Sequence, residues 1–418
     1  MKITITNCFT WYNKGDAGIV LGTIESLKKV FDEDIEINIL SYTPEEDRER
    51  YMEDITVKGV YSNILNPYNQ TTNEYKMGKL ELFLETLGNL ININFNKKSY
   101  LQKQEGLKAI ENSDLIVIIG GGFLGGENLG SNLVHMNQLY INSKFKAPCI
   151  LLGTSIEPTK NLKVNLCMKY ILRKLTHIFP RETITYEYLR SFLPEEKITL
   201  IPDMAFALNE KINMNFDFID ELENKFDKLI GITVRSWDFP NCANKVDLKN
   251  KYIDSIVDTI IHCSDEYNSK FVFVPQVIFN SGKGDDDSVI AETIKDKLPT
   301  NYKDRFLIRK DDWSPREIKS LVSKFDLFIG TRMHSNIFAT SEYIPTVAIA
   351  YEKKTNGIME TLDLNEYVID INQISSEVLI KKVRDCIVNK EEIYNHLVKK
   401  ISHIQNEIYE KSYKIKGV

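Results

Sequence analysis

Short apolar runs and longer amphipathic stretches alternate almost from end to end of this chain. Runs at residues 3–6, 35–40, 115–119, 149–152, 177–179 and 198–201 have the length and composition of buried strands, and a 3.6-residue period over 16–31 predicts a helix after the first of them. A polar, acidic stretch at 209–227 interrupts the pattern, which restarts with runs at 229–234, 271–274, 305–308, 327–329, 347–350 and 367–369. Strands separated by helices in this way imply βαβ units, parallel sheets and helices on both sheet faces. The expected fold class is therefore α/β, with two doubly wound Rossmann-like halves joined near residues 205–225. A ligand would lie in the cleft they face, beyond the carboxyl ends of the strands. The expected divisions are 1–210, 211–374 and a helical tail, 375–418, packing back on the first half. Residues 60–112 are less regular and read as an insertion, with a helical stretch after Asn73.

Composition narrows the function classes. At 418 residues the chain can build two cores. A net charge of −6 argues against a nucleic-acid binder, which needs a dominant basic face. The cysteines (Cys8, Cys149, Cys167, Cys242, Cys263, Cys386) form no CxxC pair and read as reduced thiols. The first residues, Met1 to Asn7, alternate like a strand and lack the long apolar core of a signal peptide. No stretch approaches the roughly 20 apolar residues of a membrane span. The expected location is cytoplasmic, and a membrane-borne substrate at the inner surface stays compatible with it.

Candidate chemistry gathers at predicted strand ends. After the run at 327–329 come Gly330, Thr331, Arg332 and His334. Gly330 breaks the strand, and Thr331 suits the cap of a helix starting near Arg332. A helix start beyond a sheet edge favours an anion. Arg332 offers a charged fork to phosphate or carboxylate, and His334 a proton donor near neutral pH. The next strand brings Tyr351, Lys353 and Lys354 to the same end. Arg181 and Arg235 also directly follow apolar runs. Each alone could be half of a structural ion pair; three arginines at strand ends suggest convergence on an anion. Asn13-Lys-Gly15-Asp16 sits at the first strand-to-helix turn, where Asp16 is either a cap or an acceptor for a hydroxyl proton. Gly120-Gly121-Gly122-Phe-Leu-Gly125 matches GxGxxG, but residues 131–150 contain no Asp or Glu to hold a ribose, so a dinucleotide role is disfavoured. The glycines of this turn, Gly121 and Gly122 among them, suggest close approach of backbone to a ligand. Histidines at ligand spacing are absent, so no catalytic metal is expected. Asp285-Asp286-Asp287 reads as a solvated loop.

Taken together, Asn13-x-Gly15-Asp16, Gly120-Gly121-Gly122, Gly153-Thr-Ser-Ile-Glu-Pro158, Pro202-Asp203-x-Ala205-Phe206, Val234-Arg235, Gly330-x-Arg332-Met-His334 and Pro345 through Tyr351-x-Lys353 resemble the polysaccharide pyruvyl transferase family. The resemblance implies a fold like that of GT-B glycosyltransferases, with the acceptor on the N-terminal side and the donor on the C-terminal side. It implies phosphoenolpyruvate as donor substrate, no cofactor, and a sugar of a polysaccharide or its precursor as acceptor, receiving pyruvate as a cyclic ketal. On this reading His334 is the acid for the donor methylene carbon, and Asp16 orients or deprotonates a sugar hydroxyl. Arg181, Arg235 and Arg332 hold carboxylate and phosphate, with Lys353 assisting the departing phosphate; Thr331, Asn13, Gly15, Gly121 and Gly122 complete the substrate-binding set. Whether the acceptor is lipid-linked at the inner membrane face, and whether the chain is a homo-oligomer, stays open at this point.

Two alternatives share the scaffold. A nucleotide-sugar glycosyltransferase would have the same fold, and Glu352 with Glu360 supplies the E-x7-E spacing some such enzymes use. A non-catalytic sugar-binding relative would keep the fold without turnover, which retention of Arg332 and His334 argues against.

Overall fold

The computed structural model of the protein describes residues 1–8, 11–32, 35–51, 54–59, 79–126, 129–209, 212, 214–240, 242–278 and 286–418. They cluster into two compact units. One comprises Met1–Trp11, Ile19–Ala207 and Asn406–Val418, the other Tyr12–Gly18 and Leu208–Gln405.

The first unit is built on strands β1 (Lys2–Cys8), β2 (Glu36–Ser41), β3 (Ile55–Gly59), β4 (Leu115–Ile119), β5 (Cys149–Thr154) and β6 (His177–Pro180). Their order in the sheet is β3-β2-β1-β4-β5-β6, with every pairing parallel. Helix α1 (Lys14–Val30) follows β1, and α2 (Lys79–Phe95), α3 (Leu129–Asn142) and α4 (Leu162–Leu172) form a helical layer in which α3 packs against both of the others. Ile3 and Ile5 of β1 are fully buried, and so are Thr4 and Thr6 of its opposite face. Those hydroxyls are tolerated inside because each is paired, Thr4 with Ser113 at 2.6 Å and Thr6 with the Asn142 amide at 3.0 Å.

The second unit repeats the scheme with β7 (Lys228–Thr233), β8 (Ser269–Phe273), β9 (Phe306–Ile308), β10 (Leu327–Gly330), β11 (Thr346–Ala350) and β12 (Val368–Asp370), ordered β9-β8-β7-β10-β11-β12 and again wholly parallel. Besides a short helix at Asp217–Glu223, its helices include α5 (Lys245–Tyr267), α6 (Asp287–Lys297), α7 (Pro315–Val322), α8 (Met333–Ser341), α9 (Lys353–Thr361), α10 (Ser376–Val388) and most of α11 (Lys390–Ser412). Helix α7 shows how locally such an element is specified. Ser314 accepts from the Glu317 N–H at 3.1 Å, Glu317 accepts from the Ser314 N–H at 2.6 Å, and Pro315 fills the first turn.

Three expectations need correction. Residues 198–201 form no strand of the sheet: Ile198 makes an isolated bridge to Ile178, and although Thr199 and Ile201 donate to the Ile178 and Pro180 carbonyls at 3.1 and 2.9 Å, Pro180 has no N–H to complete the next bridge. Strand β3 was not expected, because an edge strand buries one face and shows only Ile55 and Val57 as its apolar signal. The tail is helical, but α10 packs on α5 within the second unit through Leu379, Val383 and Cys386, and only Asn406–Val418 belongs to the first. There Ser412 bonds Ser26 at 3.0 Å and Lys29 lies 3.5 Å over the Tyr409 ring. The helical expectation after Asn73 is met by α2; residues 60–78 and Asp285 lie outside the described residues.

Candidate active site

The order of the second sheet reverses between β7 and β10, so the loops after these two strands diverge and leave a crevice at their carboxyl ends. Arg235 stands two residues past β7, and Arg332 two residues past β10. Gly330 ends β10 for a steric reason. A Cβ there would lie 1.7 Å from Oδ1 of the buried Asn336, so only glycine lets the first turn of α8 fold over the strand end. Thr331 does not cap that helix, contrary to expectation. The cap position is Arg332, with no side-chain cap bond, while the buried Thr331 hydroxyl meets Tyr252 at 3.2 Å and its N–H donates to Thr233 at 3.0 Å. Thr233 also pairs with Ser335 at 2.9 Å, which donates to the Arg332 carbonyl at 2.6 Å. Burial pushes the Tyr252 phenol up to about 12, so it stays a protonated member of this network. The network fixes the strand-to-helix turn and leaves the α8 amino terminus without a side-chain acceptor.

Arg332 is engaged by a carboxylate of the protein itself. Its Nε donates to Asp287 at 3.1 and 3.3 Å and its Nη2 at 2.5 Å, and Asp287 is wholly buried. This overturns the solvated reading for Asp286 and Asp287, both of which are buried. Asp286 caps α6 by accepting from the Ser288 N–H at 2.8 Å, and Asp287 opens the helix, its carboxylate also accepting from Val277 at 3.1 Å. Burial pushes the Asp287 carboxyl up, while the Arg332 and Arg235 guanidiniums hold it down. The charge on which Arg235 and Arg332 both act is therefore Asp287. Arg235 is gripped by aromatic faces, its guanidinium carbon 4.5 Å from the Tyr351 ring centroid and 5.4 Å from that of Trp237. Lys353 is exposed in the first turn of α9, whose amino terminus also has no side-chain cap.

The segment carrying Asn13, Gly15 and Asp16 belongs to this same unit. Asn13 bridges Val277 in an antiparallel pair, and the Lys14 N–H donates to the Gln276 carbonyl at 2.9 Å. Asn13 rather than Asp16 caps α1, its Oδ1 accepting from Gly15 at 3.2 Å and from Asp16 at 3.4 Å; its Nδ2 donates to Asp16 Oδ2 at 2.6 Å. Gly15 is packed on His334. A Cβ at residue 15 would sit 2.2 Å from Nδ1 and 2.6 Å from Cγ of the imidazole. One turn later, a Cβ at Gly18 would meet the Phe338 ring at 2.7 Å. Two glycines thus let the first turn of α1 lie against α8, with His334 beside the Asn13–Asp16 pair. Lys14 is fully buried and forms an ion pair with Asp312, from the loop after β9.

Arg181, Gly121 and Gly122 belong to the first unit. Arg181 is half of a buried ion pair, donating to Asp203 at 2.6 Å and to Ser155 at 2.7 Å. That is the structural alternative for this residue and not an open anion fork. The close approach that the glycine turn permits is to the protein's own backbone: a Cβ at Gly120 would meet the Gly153 backbone at 2.3 Å, and one at Gly125, where φ is +91°, would meet the Glu157 carbonyl at 1.8 Å. Between them, Gly121 accepts from Ser155 at 3.2 Å and Gly122 is exposed.

Residues 13–353 match the family described as Polysaccharide pyruvyl transferase, a span that opens on Asn13 and closes on Lys353. The chain belongs to that family. Among curated relatives it is 23% identical over 407 residues to the amylovoran biosynthesis protein AmsJ of Erwinia amylovora, covering 96% of this chain and 95% of the relative. Among solved structures it resembles the UDP-GlcNAc 2-epimerase of Methanocaldococcus jannaschii (TM-score 0.57, 15% identity, 93% of each chain). It also resembles UGT73P12 of Glycyrrhiza uralensis, complexed with glycyrrhetinic acid 3-O-monoglucuronide (TM-score 0.56, 10% identity, 97% of this chain and 91% of the other). At such identities these structures establish the GT-B-like fold alone.

In this pyruvyl transferase family member, sequence reasoning missed Asp287, Lys14 and Asp312. The Asp-Ser start of α6 is a legible cap signal. Nothing local announces that Asp287 reaches Arg332 or that Lys14 reaches Asp312.

Proposed function

We propose that this protein transfers the enolpyruvyl unit of phosphoenolpyruvate to two hydroxyls of a polysaccharide or precursor sugar, forming a cyclic ketal and releasing phosphate. The observation that carries this reading is the seating of His334 on Gly15, which groups a proton donor, the Asn13–Asp16 pair and the arginine-bearing strand ends within one unit. His334 protonates the donor methylene carbon, making it a methyl group and leaving positive charge on the central carbon. A sugar hydroxyl held by Asp16 adds there and loses its proton, which leaves with the phosphate as hydrogen phosphate. A second hydroxyl forms the other C–O bond as phosphate leaves, and its proton balances the one consumed. Arg235 and the α8 amino terminus hold the donor's anionic groups, Asp287 keeps Arg332 oriented beside them, and exposed Lys353 meets the leaving phosphate.

The nucleotide-sugar alternative gains no specific support. Glu352 pairs with Lys354 at 2.6 Å, and Glu360 is exposed in the last turn of α9. A thermal-shift screen separates the two donors: at 100 times its Kd a ligand stabilises by about 2.7 kcal/mol. Phosphoenolpyruvate should raise the melting temperature where UDP- and GDP-sugars do not, and the reverse pattern refutes the proposal. His334→Ala should keep the donor shift and lose most turnover; near-normal turnover would remove His334 from the mechanism.

A further inference from the structure

The chain carries a net charge of −6, yet between Glu157 and Glu182 it has no acidic residue and six basic ones, Lys160, Lys163, Lys169, Arg173, Lys174 and Arg181. Arg181 is buried; most of the others decorate α4 and its carboxyl end. Helix α4 buries Val164, Met168, Ile171 and Leu172 against its own unit. Its opposite face exposes Leu162 (75%), Leu166 (68%) and Tyr170 (55%), a stripe at four-residue spacing that ordinary packing does not explain. Exposed Lys163, Arg173 and Lys174 flank the stripe, Lys174 4.5 Å over the Tyr170 ring and Arg173 5.5 Å over that of Phe192, and no carboxylate pairs with them among the described residues. Across α3 in the same layer, α2 exposes Phe83, Leu87, Ile91 and Phe95 along one side and is followed by exposed Lys98.

We infer that this α2–α3–α4 face of the first unit docks on the surface of an anionic phospholipid bilayer. Apolar side chains beside lysines and arginines that no carboxylate neutralises are the composition of a helix lying in a membrane interface: the apolar stripe enters the acyl boundary while the cations meet lipid phosphates. Charge complementarity selects this occupant. A second copy docked through the same face would set one basic stripe against another, and nucleic acid has no use for a ridge of leucines. Among the described residues no helix is long and apolar enough to cross a membrane, so the contact is peripheral. The inference is independent of the donor, and supplies a reason for this transferase to work where membrane-borne sugars would be found.

The test is sedimentation of the full-length protein with vesicles, without donor or acceptor. Wild type should bind vesicles of phosphatidylglycerol and phosphatidylcholine in equal parts, bind pure phosphatidylcholine far less, and release with rising salt. Leu162→Ser/Leu166→Ser/Tyr170→Ser and Lys163→Glu/Arg173→Glu/Lys174→Glu should each raise the lipid needed for half-binding by roughly tenfold or more. Because these side chains are exposed, both variants should keep the wild-type melting temperature. The inference is overturned if wild type ignores the anionic vesicles, or if both variants bind them like wild type. It is overturned equally if light scattering shows a dimer that the serine variant splits while vesicle binding is unchanged.

Discussion

Replacing Gly15 by alanine should damage catalysis far more than folding. The added methyl would lie 2.2 Å from His334 Nδ1, and ordinary contact begins at 3.4 Å, so the ring must retreat by 1.2 Å (3.4 less 2.2). Crowding of this kind costs about 1–3 kcal/mol. Alanine in a helix returns up to ~1 kcal/mol relative to glycine. The net loss is therefore roughly 3 kcal/mol at most, up to about ten degrees of melting temperature in a domain of this size, which leaves a domain of ordinary stability folded. Misplacing a reacting group by about 1 Å costs on the order of 10²-fold in rate. The rate effect should dominate. Gly18→Ala is the control, since its methyl meets the buried Phe338 ring at 2.7 Å and leaves the imidazole alone. The assay is donor-dependent phosphate release with an acceptor chosen from a panel of glycosides, beside thermal melts of both variants. Gly15→Ala should lose about two orders of magnitude in kcat, and Gly18→Ala should melt lower with kcat near wild type. Equal kcat in the two variants would refute the claim that Gly15 positions His334.

Arg332→Ala strands the buried Asp287 carboxylate and should cost about 3–5 kcal/mol in urea unfolding; adding Asp287→Asn should recover much of that loss without restoring donor binding. Arg235→Lys keeps the charge but gives up the planar contact with Tyr351 and Trp237, so the donor-induced thermal shift should shrink while the apo melting temperature moves little. Burial lowers His135 and His177 in the first unit to about 4, with Lys414 and Lys197 adding to the effect at His177. Because the unfolded chain protonates both near 6.5, unfolding takes up protons between there and about 4: stability is full above pH 6.5 and falls with acid by up to ~3 kcal/mol per group. His177→Gln should flatten that decline in melts run across the pH range, and an unchanged decline would contradict it.

The sheets were legible because parallel strands are buried on both faces and appear as continuous apolar runs; β4 and β10 need no tertiary knowledge to locate. Strand β3 was not legible, since an edge strand writes only half that signal. The turn carrying Gly330, Arg332 and His334 could be read because strand, break and helix are consecutive. Their true neighbours could not. Asp287 lies 45 residues from Arg332, and Lys14 lies 298 from Asp312, and a buried ion pair of that separation leaves no local periodicity or spacing. Arg181 shows the opposite hazard: a strand-end arginine has the same sequence context whether it serves a ligand or a buried aspartate.

The central claim is that phosphoenolpyruvate is protonated at its methylene carbon by His334 and delivered to a sugar. Mass spectrometry of the acceptor after turnover in deuterated water tests this most directly. The account predicts a phosphoenolpyruvate-dependent pyruvyl ketal with one deuterium in its methyl group, phosphate released in equal amount, and no such product from His334→Ala. A pyruvylated product without deuterium, or an acceptor modified only when a nucleotide sugar is supplied, would contradict it.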